Sequence, residues 1–305
     1  MSLLEQRYVN LGESFDASSI TLKPSLRINT LKISETDFLK RMRAKNVILE
    51  KIPFTDVGYW FEAPFPMASS EEYLLGLFYI QEAASQLPAK VLLDDLNLAT
   101  SDSSDISILD LCSAPGSKTT QLAQLTNDLI PILALDSVSP RLDVLEFNLE
   151  RLGIKSVSVI KKDGMYVDDF DVKFDYILVD APCSGNFCVE KDFFTKRTVN
   201  DFNAKSRDQK KLLSAAIRVL KEGGIIVYST CSLEPEEDEL VIQWLLDTFD
   251  DLEVVETGLT IGDSGLTKVF DTNLNPDISK TRRFWPHKTG TEGFFIAKLK
   301  KSKSV

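Results

Sequence analysis

The stretch ISILDLCSAPGSKTTQLAQLTNDLIPILALDSVSPRLDVLEFNLERLGIKSVSVIKKD, from Ile106 to Asp163, decides the fold. ISILDLC and LIPILALD are short apolar runs of the kind buried on both faces of a parallel sheet. SKTTQLAQLTN after the first run reads as a helix. SPRLDVLEFNLERLG after the second is another, with Gly153 in the position past a helix end where a left-handed backbone suits glycine. SVSVIKKD is then a third strand. The alternation continues with FDYILVDAP as a fourth strand, a helix from Lys205 to Leu220 closed by Gly223 and Gly224, and GIIVYSTCS as a fifth strand. EPEEDELVIQWLLDTF predicts a helix with Pro235 at its start, and GFFIAKL a last strand. Strands alternating with helices predict an α/β protein with a mostly parallel, doubly wound sheet.

Upstream, the pattern changes. SLRINTLKI (Ser25 to Ile33) alternates as a strand, SETDFLKRMRAKN follows with a helix cap at Ser34 or Thr36, and VILEKIPF is a second strand. Residues 1–70 therefore read as a small α+β module leaning on a larger domain at 71–305, since so short a unit buries little by itself. APFPMASSEEYLLGLFYIQEAASQLPAKVL leads into a helix from about Ser70, with Glu71 and Glu72 in its first turn and Pro88 near its end or at a break. DDLNLATSDSSD, at 94–105, reads as a polar loop.

The chain has 305 residues, 43% hydrophobic and 27% charged, which is the balance of an ordinary globular protein. No run approaches the roughly 18 apolar residues of a membrane span, and MSLLEQRYVNLGESF lacks the basic and apolar regions of a secretory signal. The expectation is a cytoplasmic monomer with no membrane partner. Four cysteines without a Cys-x-x-Cys pair, and one distant histidine, His287, do not make a zinc site, so no metal is expected. A net charge of −11 argues against nucleic acid at first sight. Its distribution is uneven: Glu234 to Glu256 holds ten acidic residues and no Lys or Arg, while Lys191 to Lys221 and Lys268 to Val305 each hold nine basic against three acidic. The local field, more than the sum, governs a nucleic-acid face.

Ligands of open α/β sheets sit beyond the carboxyl ends of the strands. The first strand runs into Asp110-Leu-Cys-Ser-Ala-Pro-Gly-Ser-Lys118, a tight turn with one glycine at a helix start, suited to an amino-acid carboxylate and unlike the three-glycine dinucleotide turn. Asp136 ends the second strand, where an acid commonly holds ribose hydroxyls, and Asp163 ends the third, placed to accept a hydrogen bond from an adenine amino group. Any one of these is also what a turn selects by itself; three at consecutive strand ends point to a nucleoside ligand. The fourth strand ends in Asp180-Ala-Pro-Cys183-Ser-Gly and the fifth in Ser229-Thr-Cys231-Ser. If those strands are neighbours, both thiols face one crevice. Cys112 and Cys188 read as small buried hydrophobes. A helix starting near Pro235 would favour a thiolate at Cys231, though Glu234, Glu236 and Glu237 oppose it.

LRINTLK, FYIQEAASQLPAKVL, LDLCSAPGSKTTQLAQL, DAPCSG, STCSLEPEEDE and RRFWPHKTGTEGFFIAKL together resemble the Sun (nucleolar-protein) family of RNA cytosine-5 methyltransferases along nearly the whole chain. The resemblance implies a class I methyltransferase (Rossmann-like) fold with a seven-stranded sheet, and S-adenosylmethionine as cofactor. It implies Cys231 as the nucleophile, Cys183 as an aid to release of the methylated RNA, and Lys118 and Asp180 at the target base. Cys112, Ser113, Ala114, Pro115, Gly116, Ser117, Lys118, Asp136, Arg141, Asp163 and Asp180 match cofactor-binding positions. The chemistry asks for such a thiol: carbon 5 of cytosine is a poor nucleophile until a thiolate adds at carbon 6, and the base must leave its stack to be reached. This sequence departs from the usual Gly-Gly-Lys at Gly116-Ser117-Lys118. With no extra RNA-binding domain evident, substrate choice is expected to rest on the N-terminal module and the basic stretches; compact members of this kind look like archaeal-type tRNA methyltransferases, so tRNA is the first choice and ribosomal RNA the second. Arg282 and Arg283 are expected to shape the pocket floor or touch RNA, and His287 is a lesser candidate for a general base. Trp60 and Trp285 are read as core residues, with stacking on bases as the alternative.

Three rivals stand beside this reading: a DNA cytosine methyltransferase using Cys183, a catalytically silent RNA-binding factor, and a redox-sensing Cys183–Cys231 pair.

Overall fold

The computed structural model describes residues 2–97 and 106–303. Helix α1 (Leu3–Asn10), capped by Ser2 and Glu5 in a reciprocal box, precedes a small antiparallel sheet. That sheet comprises β1 (Ser25–Ile28), β2 (Ile48–Lys51), β3 (Gly58–Glu62) and β4 (Phe78–Ile80), in the order β2-β3-β1-β4, with α2 (Glu35–Ala44) against it. Leu26, Ile28, Phe38, Met42, Tyr59 and Phe78 form its core.

The helix expected from Ser70 is only one turn long. Ser70 does cap α3 (Glu71–Leu74), but Gly76 takes φ +70° and the chain turns into β4. A Cβ at Gly76 would lie 1.9 Å from the Arg151 carbonyl oxygen. Gly76→Ala therefore combines left-handed strain with a clash against rigid backbone, and is expected to cost roughly 1–3 kcal/mol or more, read by urea denaturation. Pro88 lies in the first turn of the next helix, α4 (Leu87–Leu92), rather than at the end of a long one.

The large sheet begins with β5 (Ile108–Asp110), α5 (Ser117–Leu125), β6 (Ile132–Asp136), α6 (Ser139–Leu152), β7 (Val157–Lys161) and β8 (Phe174–Asp180). Helices α7 (Phe193–Lys196) and α8 (Val199–Val219) lead to β9 (Leu220–Thr230), and α9 (Glu239–Thr248) to β10 (Leu252–Val255). After β11 (Asp263–Ser264), a two-stranded hairpin of β12 (Lys268–Val269) and β13 (Thr272–Asn273) stands apart. The chain then closes with β14 (Arg282–Phe284), α10 (Pro286–Thr289) and β15 (Phe294–Lys301). The order is β11-β14-β15-β9-β8-β5-β6-β7, with β10 also paired to β15. The run β9 to β7 is parallel, and β15 enters antiparallel to β9. This is the class I methyltransferase layout, its outer position shared by β10 and β14 along one edge of β15.

Two helix boundaries move. Helix α8 starts six residues before Lys205, because Thr198 and Asp201 form a capping box, and it ends at Val219 because Leu220 already pairs with Phe174. Helix α9 starts at Glu239, not Pro235. The loop expected at 94–105 lies, from residue 98 onward, outside the described residues; Asp94 and Asp95 both pair with the buried Lys298. Among the described residues no helix is long and apolar enough to cross a membrane.

Candidate active site

The turn after β5 is built on its own hydrogen bonds. Ser113 donates through both N and Oγ to the Leu135 carbonyl, and Gly116, at φ +102°, closes on Ser113 O. A Cβ at Gly116 would meet Leu145 Cδ1 at 2.6 Å, so the turn packs down onto α6. Thr119 donates to Asp110 Oδ2, while Asp110 Oδ1 is buried without a partner. Burial pushes the Asp110 carboxyl up to about 7.

Beside this turn opens a cleft of about 580 Å³ lined by Leu111, Cys112, Asp136, Arg141, Asp163 and Met165, among others. Asp136 accepts from Val138 N at 3.0 Å and lies 3.3 Å from Arg141. Asp163 accepts from Met165 N at 3.0 Å. Of the residues expected at a cofactor, Cys112, Asp136, Arg141 and Asp163 come together here; Ser113 is committed to Leu135, Ala114, Pro115 and Asp180 line the adjoining cavity, and Lys118 stands behind Asp180.

Strands β8 and β9 are parallel neighbours with Asp180 opposite Ser229, so their carboxyl ends carry Cys183 and Cys231 to one place. Both thiols line an open cavity of about 910 Å³ that shares Cys112 and Arg141 with the first cleft. The neighbouring Cys231, followed by burial, holds the Cys183 thiol well above the usual range. Asp180 accepts from Ser229 Oγ at 2.7 Å and from Lys118 Nζ at 2.7 Å. Lys118 also reaches Ser85 Oγ at 3.1 Å, and its ammonium lies 5.4 Å from the centre of the Phe294 ring. Ser85, on the QEAAS turn, was not singled out in the sequence. All four cysteines are free thiols, and no group of three or more possible metal ligands occurs among the described residues.

The support beneath Cys231 differs from what the sequence predicts. With α9 starting at Glu239, the helix dipole expected from Pro235 is not at the thiol. The acidic run is not a solvated face: Glu234, Glu237, Asp238 and Glu239 are fully buried. Arg283, expected near RNA, is equally buried; it pairs with Asp238 at 3.1 Å and with Glu239, and donates to Leu233 O at 2.7 Å. His287 binds Glu13 at 3.0 Å and stacks on Phe15, so it fastens the N-terminal segment. Trp285 is core.

Helix α1 reaches the same platform. Tyr8 donates to Glu234 Oε1 at 2.8 Å, and Arg7 binds Glu236 at 2.6 Å. Leu4 and Tyr8 pack with Phe187, Phe193, Leu233 and Trp285, which follow or flank the two cysteine loops. No local pattern in residues 1–10 signals this, because every partner is distant in sequence. Burial pushes Glu234 up to about 7 while the Tyr8 hydroxyl restrains it. Tyr8→Phe removes that donor from a buried carboxylate and is expected to destabilise the fold by about 1–3 kcal/mol in urea melts.

A sequence profile described as 16S rRNA methyltransferase RsmB/F matches residues 96–300, and one described as the N-terminal domain of 16S rRNA methyltransferase RsmF matches residues 2–83. The chain is 37% identical to the 25S rRNA (cytosine-C(5))-methyltransferase nop2 of Schizosaccharomyces pombe, over 95% of this chain and 48% of that protein. It is 36% identical to ribosomal RNA small subunit methyltransferase F of Shewanella woodyi, over 98% of this chain and 61% of that one. It thus spans about half to three fifths of these curated relatives. A methyltransferase homolog protein from Pyrococcus horikoshii superposes with TM-score 0.83 and 36% identity, covering 98% of both chains. NSun6 from Pyrococcus horikoshii superposes with TM-score 0.81 and 25% identity, over 94% of this chain and 93% of that one.

Proposed function

Since this chain belongs to the 16S rRNA methyltransferase RsmB/F family, we propose that it methylates carbon 5 of cytosine in RNA, using S-adenosylmethionine and a covalent Cys231 adduct. The observation that carries this reading is the meeting of Cys183 and Cys231 in one cavity at adjacent strand ends, beside a buried Lys118 paired with the half-buried Asp180 and next to the first cleft.

The residues of that cleft fit the cofactor. Asp136, at the end of β6, suits a ribose diol, Asp163 an adenine amino group, and Met165 and Leu212 supply apolar walls. Cys112 and Arg141 line both cleft and cavity, so a ligand in the first reaches the second. When bound, the cofactor supplies an electrophilic methyl group on a sulfonium sulfur.

In this scheme the Cys231 thiolate adds to carbon 6 and makes carbon 5 nucleophilic. As carbon 6 is attacked, electron density moves toward ring nitrogen 3, and Asp180, held by Ser229 and Lys118, would act there as the carboxylic acid that gives this nitrogen a proton. Cys183, kept protonated beside Cys231, is a proton carrier for release of the product. The sheet of β1 to β4 serves as the RNA-binding module and the larger sheet as the methyltransferase domain; because β4 pairs with β1, the module runs to Ile80 and not, as expected, to residue 70.

The relatives' names favour ribosomal RNA over the tRNA expected from compactness, so ribosomal RNA is our first substrate and tRNA the second. The test is incubation with methyl-labelled S-adenosylmethionine and separate pools of unmodified ribosomal RNA, tRNA and DNA. Label in 5-methylcytidine from ribosomal RNA is expected. Label only in tRNA would keep the chemistry and change the substrate; label only in DNA, or none with the cofactor bound, would overturn the reading.

A further inference from the structure

One carboxylate touches the residue after each cysteine. Glu237 Oε2 accepts from Ser184 N at 3.0 Å, and Ser184 Oγ also donates to Glu237 Oε1. Ser232 Oγ donates to Glu237 Oε1 at 3.1 Å. Ser184 follows Cys183, and Ser232 follows Cys231. Gln209 Nε2, from α8, donates to Glu237 Oε2 at 2.9 Å and to the Pro182 carbonyl at 3.2 Å. Behind the carboxylate, Tyr228 Oη donates to the Glu237 backbone carbonyl at 2.5 Å. Ser184, Ser232, Gln209 and Glu237 are all buried. Five residues separate Ser232 from Glu237, but 53 separate Ser184 from it, so this is a tie between two strand ends and not a feature of one loop.

We propose that Glu237 is a positioning residue that clasps the Cys183 and Cys231 loops together and so keeps the two thiols in contact. The inference rests on the methyltransferase reading for its kinetic consequence, though not for the clasp itself. Product release breaks the Cys231 Sγ–C6 bond. A water molecule takes the proton from carbon 5, the C–H electron pair forms the C5=C6 double bond, the S–C pair returns to the Cys231 sulfur, and the Cys183 thiol gives that sulfur its proton. Cys183 acts in that step only while it stays against Cys231. Loosening the clasp should thus slow release more than it weakens cofactor binding.

Glutamine is the informative replacement. Its amide oxygen accepts from Ser184 N and Gln209 Nε2, and its NH₂ donates to the two serine hydroxyls, which rotate to accept. Alanine removes the shared acceptor from all four donors, leaving Gln209 Nε2 with the Pro182 carbonyl alone and Ser232 Oγ only accepting from Glu234 N. The full chain would be compared as wild type, Glu237→Gln and Glu237→Ala, each first checked for cooperative thermal unfolding. Phenylarsine oxide, which bridges two thiols only when they are adjacent, is the first probe, with Cys183→Ala as the control that removes the site. Wild type and Glu237→Gln are expected to bind one equivalent, and folded Glu237→Ala about tenfold more weakly. In methyl transfer, Glu237→Ala should lose kcat by tenfold or more and accumulate a denaturation-resistant RNA adduct, with the KM for S-adenosylmethionine within twofold of wild type and Glu237→Gln largely restored.

A folded Glu237→Ala that binds the arsenical like wild type would overturn the clasp. So would a Glu237→Gln as impaired as Glu237→Ala. If wild type methylates no RNA while the arsenical pattern holds, the methyltransferase reading fails and the clasp stands.

Discussion

Cys231→Ala is expected to lower methyl transfer by about 10³-fold or more and to leave no covalent protein–RNA complex, whereas Cys183→Ala is expected to accumulate that complex. Loss of the nucleophile removes the step that activates carbon 5, and neighbouring groups do not replace it. Loss of Cys183 leaves addition intact, because Cys231, Asp180 and Lys118 are still present, but removes the thiol that contacts Cys231. The measurement is a denaturing gel of protein with labelled RNA, alongside product nucleoside analysis. The two variants also separate the rival chemistries. A DNA-type enzyme using Cys183 as nucleophile would show the opposite pattern, and a silent RNA-binding factor would show no adduct in either. A redox pair would form a reversible disulfide on mild oxidation, read by mass spectrometry.

Arg283→Met should produce the largest loss of stability, about 3–5 kcal/mol, because it leaves buried carboxylates without their cation. Arg283 is fully buried; burial by itself would lower its pKa, but Glu239 and Asp238 outweigh that and raise it. Its guanidinium also holds the Leu233 carbonyl, two residues past Cys231. The change should therefore lower the urea midpoint steeply while leaving RNA affinity of the folded fraction near wild type. Arg282→Met is the companion: Arg282 is half-buried and donates to Leu259 O and Ser264 Oγ, so a loss of about 0.5–1.5 kcal/mol is expected. Unchanged stability with weakened RNA binding in Arg283→Met would return this residue to the RNA face.

The contrast between Arg283 and its neighbours shows where reading the chain reaches its limit. The apolar runs of β5 to β9 and the glycines that punctuate them are local signals, so the parallel sheet and the placing of Asp110, Asp136, Asp163 and Asp180 at strand ends were legible from residue order. That Cys183 and Cys231 meet depends only on β8 and β9 being neighbours, a property of the fold class. The one-turn helix at Glu71–Leu74 was not legible, because Gly76 stops it through a close approach to Arg151, 75 residues on. Nor was the burial of Glu234, Glu237, Asp238 and Glu239. A run of like charges has every local reason to face water. Arg283 on β14, Arg7 and Tyr8 on α1, Gln209 on α8, Thr230 on β9 and the loops after both cysteines, packed together from distant parts of the chain, supply the cations and hydrogen bonds that make burial of those acids affordable. Sequence order sets which groups stand at the ends of strands. Tertiary packing alone decides which charged groups become the floor of the site, because the free energy of a buried charge depends on partners that no local pattern specifies.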